Sequence, residues 1–338
     1  MKLISNPPNP FESSHRELLE PAPHVTTQVF EENTGAILSR NDSPDIPFRW
    51  SVNPYRGCFH ACAYCYARPT HQYWGFGAGT DFESKLIVKS NAADALRTAF
   101  MKPSWKGEVV VFSGNTDCYQ PLEATHALTR ACLTVCAEFR NPVAIVTKAS
   151  LIQRDLDLLQ TLNAQASVQV YFSVPFAHDD VARKVEPQTP SITRRLEAMA
   201  ALSAAGIPTA VLVGPVIPGL NEQDIPRILH LAKQAGATHA AYTLLRLNDN
   251  VQPVFLERMA EAFPDRIKKI VNHLQEVRNG RLEEKRFFER HRGHGPMWQT
   301  IERLFDLAFR KEGFQRSSRD DTVPNTFVRP SAQCTLFP

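Results

Sequence analysis

From residue 109 to residue 245 the chain repeats one pattern. A short run of β-branched and apolar residues is followed each time by a longer run with apolar residues at helical spacing. The short runs fall at 109–112, 143–146, 168–172, 209–213 and 240–245. The helical runs fall at 122–139, 152–162, 191–205 and 225–235, and Gly206 and Gly236 supply stop signals after the last two. A further short apolar run, 50–55, precedes them, which makes six β/α units. Strands of this type joined by helices form a parallel sheet covered on its faces. Right-handed crossovers curl six such units into a partial (β/α)6 barrel. Ligands in such sheets sit at the carboxyl ends of the strands.

The flanks read differently. Residues 1–47 are punctuated by Pro7, Pro8, Pro10, Pro21 and Pro23 and read as a largely irregular N-terminal arm. The run 25–30 could form an edge strand, but the expectation is a loosely packed leader. Residues 48–250 form the core, with an extended segment at 81–89 and a helix at 92–100 inside it. Residues 251–338 form a C-terminal helical extension with helices over 255–277 and 296–309, a basic segment between them, and a polar tail from 313. The formal charge of +3 does not by itself argue for a nucleic-acid partner. No stretch has the length of a membrane span and no apolar leader opens the chain, so a cytoplasmic protein with no membrane partner is expected.

Directly after the first short strand come Cys58, Cys62 and Cys65, spaced C-x-x-x-C-x-x-C. A structural zinc site takes four protein ligands, and His60 or His71 could supply the fourth, but the usual paired C-x-x-C spacing is missing. A disulfide does not suit three clustered thiols in a reducing compartment. An iron–sulfur cube takes one ligand per iron, so three cysteines leave one iron free for a chelating cosubstrate.

The cysteine spacing, with Tyr64 just before the last cysteine, resembles the signature of radical S-adenosylmethionine (SAM) enzymes. The longer run from Asn53-Pro54-Tyr55-Arg56-Gly57 to Cys65-Tyr66-Ala67-Arg68 is similar to the bacterial branch that includes spore photoproduct lyase. The resemblance spans about 43–309. It implies a [4Fe–4S] cluster on Cys58, Cys62 and Cys65, SAM as cosubstrate, and a reductant such as flavodoxin or ferredoxin as partner. It also implies roles for single residues. Tyr64 packs beside the adenine. Thr116 stands where the branch uses a serine against the SAM amino group, in place of the Gly-Gly-Glu type motif of many relatives. Lys148 pairs with the SAM carboxylate, Ser173 touches the ribose, and Gly214 opens a segment whose backbone lies along the adenine. Glu186-Pro187 shapes a wall of the cosubstrate or substrate space. Arg246, at the end of the sixth strand, is a candidate anion clamp.

The branch's repair enzyme uses a cysteine near the second strand as hydrogen donor. Gly114 stands at that place here, which puts photoproduct lyase activity in doubt. Cys118 is a candidate catalytic donor in its stead, although a buried inert thiol is the commoner case. The basic segment from Arg278 to Arg292, interleaved with Phe287 and Phe288, could hold a phosphate backbone, diluted by Glu283, Glu284 and Glu289. The expectation is a monomeric radical SAM enzyme with DNA or RNA as a possible substrate. The alternatives are radical modification of a small molecule or protein, and a zinc-stabilised barrel without chemistry.

Overall fold

The computed structural model describes residues 26–315 and 325–330. Among the described residues ten strands build two sheets. In chain order they are β1 (Gln28–Glu32), β2 (Leu38–Arg40), β3 (Trp50–Val52), β4 (Tyr55–Arg56), β5 (Lys85–Lys89), β6 (Val110–Phe112), β7 (Val143–Thr147), β8 (Val168–Ser173), β9 (Thr209–Val216) and β10 (His239–Leu244). The main sheet runs β10-β9-β8-β7-β6-β3-β2. Six strands, from β3 to β10, are parallel and follow chain order, and β2 closes one edge antiparallel to β3. β10 and β2 do not pair, so the barrel is open.

Helices cover the outside and bury one apolar stripe each. Ile192–Ala204 is capped by Ser191, whose hydroxyl accepts the Arg194 N–H, and it buries Ile192, Ala198, Met199 and Leu202. Ile225–Gln234 has Pro226 in its first turn, where no N–H is needed, and buries Ile225, Ile228, Leu229 and Ala232. Gly295–Lys311 begins in the same way with Pro296 and buries Trp298, Ile301, Phe305 and Phe309.

Several boundaries differ from the sequence reading. The run 50–55 is two strands, because Pro54 cannot donate to the ladder; Tyr55 and Arg56 cross to the small sheet β1-β5-β4. The segment 25–30 is not a loose leader in its described part. Gln28–Glu32 pairs in parallel with Lys85–Lys89 along its whole length. The arm's residues 1–25 lie outside the described residues. The helix expected over 255–277 is two helices, Val251–Ala262 and Ile267–Val277, separated at Pro264. The helix over 122–139 breaks at Ala127, which adopts a φ of 50°. The extended segment 81–89 opens with a helical turn, Asp81–Ser84. Part of the tail packs on the barrel, where the Phe327 ring stacks on Phe139 and the Val328 N–H reaches the Phe139 carbonyl.

Candidate radical SAM site

The cysteine loop leaves β4 at the carboxyl end of the parallel sheet. Gly57 turns the chain with a φ of 70°, and a Cβ there would lie 2.8 Å from the Phe82 carbonyl oxygen. That oxygen accepts the Cys58 N–H at 2.9 Å. Gln120 holds the same bend, accepting the Phe59 N–H at 2.9 Å and donating to the Gly57 carbonyl at 3.1 Å. The Ala63 N–H reaches the Val185 carbonyl at 2.9 Å.

Two buried guanidinium groups lock the loop from below. Arg68 donates to the Cys62 carbonyl through Nε at 3.1 Å and Nη2 at 2.9 Å, and Arg258 donates to the Ala61 carbonyl. Both converge on Glu83, Arg68 at 2.9 Å and Arg258 at 2.6 and 2.7 Å. Two positive charges share one carboxylate, and Arg68 also donates to the Ala78 and Gly79 carbonyls, whereas the buried Arg258 Nε has no partner among the described residues. Arg258 comes from the helix Val251–Ala262, beyond the expected core boundary at 250.

Cys58 and Cys62 are buried, and Cys65 is half-buried. Burial pushes all three thiols up, Cys62 to about 12. At Cys58 the charges of Asp117, Cys62 and Cys65 add to this, so the three sulfurs share one electrostatic neighbourhood. They do not stand as a ready-made coordination cage among the described residues. A metal must therefore displace protons and draw the thiolates in. The donor set is three soft sulfurs, which suits an iron–sulfur cluster or zinc. His60 Nδ1 lies 3.4 Å from Asp117, and His71 Nε2 lies 2.8 Å from the Lys85 carbonyl.

One polar network joins most of the expected cosubstrate residues. Tyr64 donates its hydroxyl to Glu186, and the Lys148 ammonium lies 5.7 Å from the Tyr64 ring centroid and 3.9 Å from Glu186. Arg195 closes the network, donating to Glu186 at 2.6 Å, to Thr189 at 2.5 Å and to the Ser173 carbonyl at 3.0 Å. The Ser173 hydroxyl donates to the Gly214 carbonyl at 3.1 Å. Burial raises the Glu186 carboxyl, but the charges of Arg195 and Lys148 outweigh it and hold it below its ordinary range. Burial lowers Lys148, but the Cys62 and Glu186 charges outweigh it, and the ammonium stays charged.

Thr116 is buried beside the loop and donates to the Tyr55 carbonyl at 3.0 Å, which leaves its oxygen lone pairs to accept an ammonium proton. Arg246 is half-buried, with its Nε bonded to no described residue, and it senses the Tyr66 phenol, Asp45 and Arg290. Cys118 is 0 % exposed and belongs to the hydrophobic core. Its backbone bonds go to Ser113 and Thr129, and burial pushes its thiol well up. This placement packs the thiol in the core beside Ser113 and Thr129. Gly114 has no room for a side chain either: a Cβ would meet the Ser51 Cβ at 2.7 Å. The Gly114 carbonyl instead accepts the Tyr66 hydroxyl at 2.7 Å.

The sequence reading missed Arg195, Asp117, Glu83 and Arg258. Asp117 accepts the Thr147 hydroxyl and the Lys148 N–H, both at 2.8 Å, and so fixes the backbone that carries Lys148. Its place directly after Thr116 was the available signal.

The basic segment is largely neutralised within the fold. Asp45 takes Arg290 at 2.5 and 2.7 Å, and Glu284 takes Arg286 at 2.7 and 3.0 Å. Arg278 is buried and donates to four backbone carbonyls.

Residues 52–232 match the radical SAM superfamily. The chain belongs to that superfamily. An uncharacterised protein of Mycobacterium tuberculosis (strain H37Rv) is 38% identical over 226 residues, covering 66% of each chain, so this chain spans just under two thirds of that relative. The radical SAM Nalpha-GlyT isomerase of Pseudomonas phage M6 is 26% identical over 233 residues, 68% of this chain and 46% of the phage protein. The fold is similar to spore photoproduct lyase complexed with dinucleoside spore photoproduct, with a TM-score of 0.60 at 13% identity, covering 85% of this chain and 80% of that one. A mutant of that lyase with bound AdoMet and the same dinucleoside gives a TM-score of 0.60 at 14% identity. Membership of the radical SAM superfamily implies a [4Fe–4S] cluster and SAM. No described helix is long and apolar enough to cross a membrane.

Proposed function

We propose that this protein is a radical SAM enzyme that abstracts hydrogen from a nucleotide or nucleic-acid substrate. The observation that carries the reading is the meeting of three thiols with the Tyr64–Glu186–Lys148–Arg195 network at the carboxyl end of the sheet. Cys58, Cys62 and Cys65 hold the cluster. Held there, the cluster would supply the one-electron reduction, drawn from a reductant such as flavodoxin or ferredoxin, that would cleave SAM to methionine and the 5′-deoxyadenosyl radical. The protein's own groups bind and orient. Lys148 meets the SAM carboxylate and Thr116 accepts from the amino group. Tyr64, Ser173 and Gly214 line the nucleoside, and Arg246 holds an anionic group at the mouth. Glu186 and Arg195 are positioning residues that keep Tyr64 and Ser173 in place.

The substrate class is supported by the dinucleoside spore photoproduct bound to the structurally similar lyase. A cytoplasmic monomer suits this chemistry. The test is anaerobic reconstitution with iron and sulfide, reduction, and measurement of 5′-deoxyadenosine from SAM. Deuterium from a labelled DNA or RNA substrate must appear in that product. Iron-free protein, or SAM left intact, overturns the reading. Deuterium transfer from small molecules or peptides alone moves the substrate to that class.

A further inference from the structure

Beside the cysteine loop, between the main sheet's edge and the small sheet, lies a polar cleft of about 220 Å³. Ser51, Asn53, Arg56, Lys89, Gly114 and Asn115 line it. Lys89 is 4 % exposed and lines the cleft; no hydrogen bond or ion pair to a described residue holds its ammonium, and Glu32 is the nearby acid whose charge it feels. An ammonium so little exposed is costly to keep charged without a counter-charge, and an anion entering the cleft would supply one. Arg56 stands beside it. Its Nε donates to Glu32 at 3.3 Å and its guanidinium lies over the Trp74 ring at 4.6 Å. No described residue accepts from its two terminal nitrogens, which leaves that fork open. Glu32 offsets one of the two positive charges, and the cleft retains the other. Burial and the neighbouring Arg56 push Lys89 down to about 8, and the Glu32 charge opposes them only in part.

We infer that this cleft binds a phosphate group of the substrate, with Lys89 and the Arg56 fork as its charged contacts. Two cations exclude a metal ion. Polar groups from four separate segments of chain, at 51–53, 56, 89 and 115, line the cleft, which suits a tetrahedral oxyanion better than a planar carboxylate that would use one fork; the Asn115 amide also donates to Thr70 Oγ1 at 3.2 Å. The cleft is distinct from the SAM carboxylate position. The charges felt at Lys89 are those of Arg56, Glu32 and Cys132, while Lys148 is the lysine felt at Cys62. It still abuts the candidate site, since the Gly114 carbonyl on its wall accepts the Tyr66 hydroxyl and Asn53 Oδ1 accepts the Asn115 and Thr116 N–H groups at 2.8 and 3.4 Å. A phosphate held there places an attached nucleoside next to the loop that carries the cysteines. As a substrate subsite this inference rests on the radical SAM reading.

The test is equilibrium binding to the reconstituted full chain, with inorganic phosphate, thymidine 5′-monophosphate and a labelled single-stranded deoxyoligonucleotide as separate probes, and acetate as the carboxylate control. Lys89→Met must weaken the phosphate-bearing probes about tenfold or more, and Lys89→Arg must keep them within about threefold, the range for one charge-assisted contact. Asn115→Asp, which puts a negative charge on the wall, must weaken the same probes. Tighter binding of the oligonucleotide than of the mononucleotide, with a salt dependence that falls by about one counter-ion in Lys89→Met, assigns the phosphate to a nucleic-acid backbone. Binding of phosphate and mononucleotide without the oligonucleotide assigns it to a free nucleotide. Unchanged affinity in folded Lys89→Met or folded Asn115→Asp, or acetate bound as well as phosphate, overturns the subsite. Wild-type 5′-deoxyadenosine formation reads the radical chemistry alone, so its absence with phosphate binding intact would remove the chemistry and leave the anion site standing.

Discussion

Asp45 grips Arg290 with both carboxylate oxygens, at 2.5 and 2.7 Å, across 245 residues of chain. The same carboxylate accepts the Phe288 N–H at 3.0 Å. The arm before the barrel is thereby tied to the loop between the last two helices. Burial raises the Asp45 carboxyl, but the bonds from Arg290 and Phe288 outweigh it and hold it below the ordinary carboxylate range.

Asp45→Asn should cost about 3 kcal/mol, because it leaves a buried guanidinium without its counter-charge. A folded-state value below the unfolded one means the pair stabilises fully above the unfolded carboxylate range and loses that contribution as pH falls through the folded value. Melting temperatures from pH 7 downward should converge for wild type and Asp45→Asn at the acid end. A constant gap would show that the pair is not coupled to this carboxyl.

Glu83→Gln should destabilise the cysteine loop more than the surface. It leaves Arg68 and Arg258 buried together with no carboxylate between them, a loss of about 3–5 kcal/mol. Iron content after reconstitution should fall with stability. Glu289→Gln, at an exposed pair with His294, should keep both within error.

Alanine at Cys58, Cys62 or Cys65 should abolish iron binding and 5′-deoxyadenosine formation. Cys118→Ala should keep both and lower the melting temperature through a core cavity. Iron content and the amount of 5′-deoxyadenosine per protein separate the two outcomes. Loss of substrate turnover with SAM cleavage retained in Cys118→Ala would establish the donor role.

Lys148→Met should weaken SAM binding about tenfold or more, the worth of one charge-assisted contact. Glu186→Gln should do less to binding and more to geometry, because Tyr64 and Arg195 both turn on that carboxylate. A rise in the SAM KM without loss of kcat would identify Lys148 as a binding contact. A change in kcat alone would place it elsewhere.

The barrel was legible because period and punctuation repeat along 109–245, and the thiols because their spacing is local. What was hidden is non-local. Glu83 meets Arg258 across 175 residues, and no periodicity relates the two. Arg195 sits on a helix whose apolar stripe explains its neighbours and says nothing of a guanidinium turned inward to Glu186. The split at 264 did have a signal, since a proline inside a helical run removes a donor and clashes with the preceding turn. The bend at Ala127 had none, because an alanine is ordinarily the best helix former.

Arg258 has a consequence for any attempt to trim the molecule. Cutting the chain at residue 250 would keep every parallel strand and all three thiols. It would also delete the guanidinium that grips the Ala61 carbonyl and balances Glu83. The excised barrel would leave Glu83 paired with Arg68 alone and the Ala61 carbonyl of the cysteine loop without its donor. The smallest unit able to assemble the cofactor therefore extends at least through the helix Val251–Ala262.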